Sequence, residues 1–270
     1  MPWPWRRKTR RTLARIAIEG PILASTRERV LKALRQVEER ECPALLLRID
    51  SPGGTVGDSQ EIHAALKRLR EKGCRVVASF GNISASGGVY VAMGAEKIVA
   101  NPGTITGSIG VILRGNDLSR LLERVGVRFE IVKSGLYKDI LSPDRALTEA
   151  ERQLLQELID SSYNQFVAAV AEGRGLLEDQ VRGFADGRVF SGAQARSLGL
   201  VDVLGDEEAA RRLAVELAGL DPTHTKTITF GRQPKRFAGL IPGRSLLCGL
   251  VELLTMEVGL GGQPLWLHRP

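Results

Sequence analysis

The chain has 270 residues, of which 43% are apolar, and a formal net charge of +7. That is long enough to bury a sizeable core in one large domain or two small ones, with an ordinary globular composition. Three scattered cysteines, Cys42, Cys74 and Cys248, argue against a disulfide framework, and no apolar run reaches the roughly 18–20 residues that span a bilayer, so the sequence reads as soluble or peripheral.

The positive charge is concentrated early. Arg6, Arg7, Lys8, Arg10, Arg11 and Arg15 follow Trp3 and Trp5, which marks residues 1–15 as a basic, tryptophan-bearing tail. Such a tail suits an anionic membrane surface, with the rings at headgroup level, or simple solvation; nucleic acid is not taken as a partner. Next, Ala14 to Ile18 reads as a strand ended by Gly20-Pro21, and Arg27 to Arg40 as a helix with Val30, Leu31, Leu34 and Val37 on one face. Ala44 to Ile49 is a mostly apolar run cut off by Ser51-Pro52-Gly53-Gly54, the pattern of a parallel strand feeding a glycine turn. A helix over Asp58 to Lys72 and a strand over Arg75 to Phe80 follow.

Alternation continues with a helix near Gly87 to Gly94 and a strand at Lys97 to Ala100. A short helix over Leu118 to Val125, a strand at Phe129 to Val132 and a long helix over Thr148 to Glu172 come next, the last opened by a Thr148/Glu151 capping box. Helices near Ala193 to Leu198 and Glu207 to Ala218 lead to an edge strand at Thr225 to Phe230, and Leu246 to Leu260 reads as an amphipathic helix. Repeated strand, helix, strand predicts an α/β fold with a largely parallel sheet. No linker divides the sequence clearly.

Between the strand at Val76 to Phe80 and its following helix lies Ser86-Gly87-Gly88. A serine at a helix N-terminus presents its hydroxyl where backbone N–H groups and the helix dipole stabilise developing negative charge, which makes Ser86 a candidate nucleophile. The same residue also reads as an ordinary N-cap. A serine nucleophile needs a base, and the three histidines, His63, His224 and His268, lack a supporting context; each reads as a surface or half-buried polar residue. No metal-ligand spacing and no phosphate-loop motif is present, and no metal or organic cofactor is expected. A lysine can serve if it is neutral at working pH. Bringing its pKa from about 10.4 to about 7.4 takes roughly 4 kcal/mol of preference for the uncharged form, hence a closed apolar site. Lys138, after Ser134-Gly135 and Tyr137 at the end of an apolar segment, is the candidate by position, although a loop lysine on its own reads as a solvated charge.

Four segments in order, Ile49-Asp50-Ser51-Pro52-Gly53-Gly54, Ala85-Ser86-Gly87-Gly88-Val89-Tyr90, Thr106-Gly107-Ser108-Ile109-Gly110-Val111 and Lys133-Ser134-Gly135-Leu136-Tyr137-Lys138-Asp139, together resemble the signal peptide peptidase A family of serine proteases, in the ClpP/crotonase-like superfamily. The resemblance implies repeated β-β-α units over residues 16–220, followed by an extension over 221–270. It implies Ser86 as nucleophile, Lys138 as general base, Gly54 and Gly87 as oxyanion N–H donors and Ser108 as the residue that orients the lysine. It further implies peptide substrates such as signal peptide remnants and other apolar segments, and a homo-oligomeric ring in which the lysine can cross an interface. Many relatives carry an N-terminal transmembrane segment; without one, the expectation is a cytoplasmic enzyme, peripherally membrane-associated through its tail. The alternatives are a crotonase-type acyl-CoA enzyme and a non-catalytic oligomeric scaffold at a membrane.

Overall fold

The structure, a computed structural model, describes residues 11–232 and 265–267. The tail up to residue 10, the Leu246 to Leu260 segment, Cys248 and His268 lie outside the described residues. Two compact units emerge, the first holding most of the chain and the second built largely from residues 112–162.

The first unit opens with β1 (Thr12–Glu19), α1 (Ala24–Glu39), β2 (Ala44–Ser51), β3 (Gly53–Thr55), α2 (Val56–Glu71), β4 (Arg75–Ala85), α3 (Gly87–Ala92), β5 (Lys97–Ala100) and β6 (Ile105–Gly107). The second unit contributes α4 (Ser119–Arg124) and the start of α5 (Glu149–Arg174), a helix whose residues from Tyr163 onward belong to the first unit. The first unit then resumes with α6 (Glu178–Arg182), β7 (Val189–Ser191), α7 (Gly192–Ser197), β8 (Val203–Leu204), α8 (Glu207–Leu217), β9 (Lys226–Thr229) and β10 (Leu265–Leu267).

The main sheet runs β7-β6-β4-β2-β1-β9, with β5 on β4 and β8 on β5. Its pairings are parallel except for β6 with β7. A separate two-stranded sheet pairs β10 with β3. Because helices cover both faces of the parallel sheet, strand residues of both parities are buried, which is why β2 reads as an unbroken apolar run. Ala14, Ile16 and Ile18 of β1, Leu45, Leu47 and Ile49 of β2, and Val76, Ala78 and Phe80 of β4 share one core with α1, α2 and α3. The opposite parity, Leu13, Ala44, Leu46 and Val77, packs on Ala210, Ala214 and Val215 of α8.

The fold is mixed α/β with a largely parallel sheet, as the alternation of elements implies. Three local readings need correction. Phe129 to Val132 forms no strand; it is irregular and exposed within the second unit. His63 is buried rather than half-exposed. The apolar stripe that the sequence predicts along the long helix, Leu155, Leu158, Ile159, Phe166, Val167 and Val170, is covered at Phe166, Val167 and Val170, but Leu158 faces outward. In addition, β1 starts at Thr12, inside the span read as tail, while β9 and β10, in the span read as an extension, pair with β1 and β3.

Candidate active site

β4 runs directly into α3, and Ser86 is the single residue between them. Its backbone adopts φ 52° and ψ −115°, outside the extended region used by a capping residue, and its hydroxyl makes no capping bond. The N-cap reading of this serine therefore fails. A non-glycine residue in such a conformation carries strain of roughly 1–3 kcal/mol, and surrounding structure must hold it there. Here the Ser86 N–H donates to the Gly107 carbonyl at 2.8 Å, at the end of β6 where Ala85 pairs with Gly107. A strained serine on a strand-to-helix turn is the geometry that lifts a nucleophilic hydroxyl clear of its own backbone at a helix N-terminus. Gly87 and Gly88 form the buried first turn of α3.

Gly107 and Ser108 both have positive φ, 87° and 50°. The turn they form is pinned by the Ser108 N–H donating to the Arg188 carbonyl at 2.8 Å and by antiparallel pairing of Gly107 with Val189. Ser86 and Ser108 are thus brought together through the backbone, one hydrogen-bonded to the residue before the other. Both are buried.

The glycine turn after β2 is built from inside the chain. Gly53, at φ 103°, donates its N–H to Ser51 Oγ at 3.1 Å. Gly54 pairs with Ile22 in a parallel bridge, and a Cβ there would lie 1.9 Å from the Ile22 carbonyl oxygen. The missing side chain thus makes room for Ile22. A Cβ on Gly88 would lie 3.3 Å from both the Ser51 carbonyl oxygen and Ser84 Oγ, so the first turn of α3 sits directly on the strand ends that carry the glycine turn. Gly54, Ser86, Gly87 and Ser108 therefore all belong to one end of the sheet in the first unit.

Sequence reasoning passed over the polar groups that shape this end. The Asp50 carboxylate accepts from the Ile83 N–H at 3.1 Å and from Asn82 Nδ2 at 3.4 Å, bridging the register shift between β2 and β4. Ser84 Oγ is buried without a hydrogen-bond partner among the described residues. The Asp50 and Ser51 positions are visible in the glycine-turn motif, but nothing in the pattern distinguishes their structural duty.

Lys138 lies in the second unit, in the irregular segment between α4 and α5. It is exposed, and its amine makes no ion pair among the described residues. Its neighbour Asp139 is firmly held. Arg145 donates to Asp139 from Nε at 3.1 Å and Nη2 at 2.9 Å, and Lys133 Nζ donates at 2.6 Å. The Arg145 guanidinium, then Lys133, hold the Asp139 carboxyl far below the usual carboxylate range. Arg145 also grips Glu151, whose pKa falls to about 2 through Arg145 first and then the Thr148 N–H. Thr148 and Glu151 complete the expected capping box at the head of α5. The loop bearing Lys138 is therefore anchored to that helix through one arginine.

His63 stands on α2 with its ring 5.0 Å from that of Tyr90, one turn beyond Ser86 along α3. Burial, reinforced by Lys67, lowers its pKa to about 4. It makes no hydrogen bond to Ser86 among the described residues. No helix among the described residues is long and apolar enough to cross a membrane.

The family model of Peptidase family S49 matches residues 68–221. Over the full length of both chains, the sequence is 58% identical to the Synechocystis sp. protein slr0021, whose name assigns it only provisionally as a protease. It is 34% identical to the chloroplastic serine protease SPPA of Arabidopsis thaliana, covering 75% of this chain and 31% of that one. Protease 4 of Salmonella typhi is 39% identical over 67% of this chain and 29% of its own. Among solved structures, a point mutant of ClpP1 from Listeria monocytogenes superimposes with a TM-score of 0.51 at 20% identity, covering 73% of this chain and 93% of that one. A serine-to-alanine mutant of the 1510-N membrane-bound stomatin-specific protease gives 0.56 at 16%, covering 82% and 98%. At these identities the two structures speak to fold alone.

Proposed function

Because the chain belongs to peptidase family S49, a family of serine-type peptidases that use a Ser-Lys dyad, we propose that Ser86 is its nucleophile and Lys138 its general base. Family membership sets aside the acyl-CoA alternative. The observation that carries the assignment is the strained, uncapped Ser86 at the head of α3. In the proposed reaction, the Ser86 hydroxyl attacks a peptide carbonyl while the neutral Lys138 amine takes its proton and later delivers it to the leaving amine. The Gly54 and Gly87 N–H groups receive the oxyanion, Ser108 orients the lysine, and water hydrolyses the acyl-enzyme.

An exposed Lys138 lacks the shelter that a neutral amine requires. Self-association can supply that shelter, and the second unit exposes Val125, Val127, Phe129, Val132 and Leu136. The proposed active form is accordingly a homo-oligomeric ring with the lysine delivered from a neighbouring copy. Proposed substrates are signal peptide remnants and similar apolar segments, read on the cytoplasmic side by an enzyme held at the membrane through its basic tail.

A serine-reactive fluorophosphonate tests the assignment. Labelling and peptidase activity disappear together in Ser86→Ala, and activity disappears in Lys138→Ala with the oligomer retained. Mixing the two inactive variants restores turnover if the site is shared between copies. Unchanged labelling of Ser86→Ala refutes the nucleophile.

A further inference from the structure

β10 pairs antiparallel with β3, placing Trp266 opposite Gly54. The other edge of β3 is already engaged. The Ile22 N–H donates to the Gly53 carbonyl at 2.8 Å and the Thr55 N–H to the Ile22 carbonyl at 3.0 Å. Along a strand, the N–H and C=O of one residue point to the same edge and those of its neighbours to the opposite edge. Gly53 and Thr55 face Ile22, so Gly54 turns both of its backbone groups toward Trp266. α3, the helix headed by Ser86, also lies beside β10.

We infer that β10 is an internal occupant of the peptide-reading edge of this site. It commits the Gly54 N–H, the proposed oxyanion donor, to a peptide carbonyl of the chain's own residue 266, and so holds the site closed until a substrate strand displaces it. This rests on the roles proposed above for Ser86 and Gly54. Adding an extended segment to a free strand edge is a general mode of peptide recognition, with main-chain hydrogen bonds supplying affinity. Leu265-Trp266-Leu267 is apolar, the chemical class proposed for the substrates, so it competes for the same edge. A pairing of three residues is short enough to be exchanged for an incoming strand.

The test uses full-length Trp266→Pro, which removes the N–H that reaches the Gly54 carbonyl, and Trp266→Phe, which keeps it. Two quantities are read: amide hydrogen exchange over Gly53 to Thr55, and kcat/KM on an apolar fluorogenic peptide. Trp266→Pro should accelerate exchange at Gly54 and raise kcat/KM about tenfold each, the equivalent of about 1.4 kcal/mol of lost pairing, while Trp266→Phe should match wild type. Adding the synthetic peptide Pro264-Leu265-Trp266-Leu267-His268 to Trp266→Pro should bring kcat/KM back down. Fast exchange at Gly54 in the wild type, or no change in Trp266→Pro, overturns the placement of the strand. Accelerated exchange with unchanged kcat/KM and intact Ser86 labelling overturns the closing role and leaves the peptidase reading standing. Absence of labelling in every form overturns the peptidase reading and the closing role together, while the exchange data still report whether the strand pairs.

Discussion

Gly54 and Ile22 approach so closely that the position of a Cβ on residue 54 falls 1.9 Å from the Ile22 carbonyl oxygen and 2.6 Å from its carbonyl carbon. Both obstructing atoms are backbone, so neither can swing aside. The parallel bridge between these residues fixes the edge on which Gly54 presents its N–H.

Gly54→Ala should therefore destabilise the protein by about 3 kcal/mol, at the upper end of overpacking costs, and displace the turn. Gly57→Ala is its control. That glycine lies in α2, where an added Cβ meets nothing within 4 Å, so the substitution should stabilise by about 0.5–1 kcal/mol. Urea denaturation of the two variants should give opposite signs.

His63 predicts a pH dependence of stability. Its folded pKa is lowered from 6.5 to about 4, by burial first and then by Lys67, with Arg70 adding to the effect and Glu172 opposing it. The unfolded chain therefore takes up this proton at higher pH than the folded chain. Its contribution is intact above pH 6.5 and is lost as pH falls from 6.5 toward 4, by on the order of 3 kcal/mol. His63→Phe keeps an aromatic ring against Tyr90 and removes the titration, so its stability should vary less over that window. Denaturant unfolding of both proteins across the window measures the difference, and parallel curves would assign the pH dependence to other groups.

Arg145 joins Asp139 to Glu151 and so anchors the segment that carries Lys138. Arg145→Ala should lower kcat by about 10- to 100-fold, the scale expected when a reacting group is misplaced by about 1 Å. Arg145→Lys should restore little, because an ammonium cannot fork across two carboxylates. If the arginine acts through position, fluorophosphonate labelling falls in step with kcat while KM stays near wild type. An unchanged kcat would release Arg145 from this role.

Most of the sheet was legible because burial on both faces leaves a short continuous apolar run, as in Leu45-Leu46-Leu47, which few other environments produce. The helices were legible for the complementary reason, with Val30, Leu34 and Val37 recurring at helical spacing on α1. Phe129 to Val132 shows the limit of that logic. Its residues carry strand propensity, yet no described strand pairs with them, and propensity alone does not form a sheet. At the proposed site, the motifs point to Ser86 and the glycine turn but carry nothing of their geometry. Local pattern cannot separate a relaxed cap from a residue held at φ 52° by a hydrogen bond to Gly107, because that partner lies in another strand. The grip of Arg145 on Asp139 was equally silent, being one basic residue among 38.

β1 is an interior strand only because β9 covers its outer edge, through pairs running from Thr12 with Lys226 to Arg15 with Thr229. During synthesis that edge stays bare until almost all of the catalytic body has left the ribosome. A nascent chain thus displays an apolar strand with unmet hydrogen bonds throughout most of its translation, which makes this margin of the sheet the place where chaperones or a second nascent copy would first engage it.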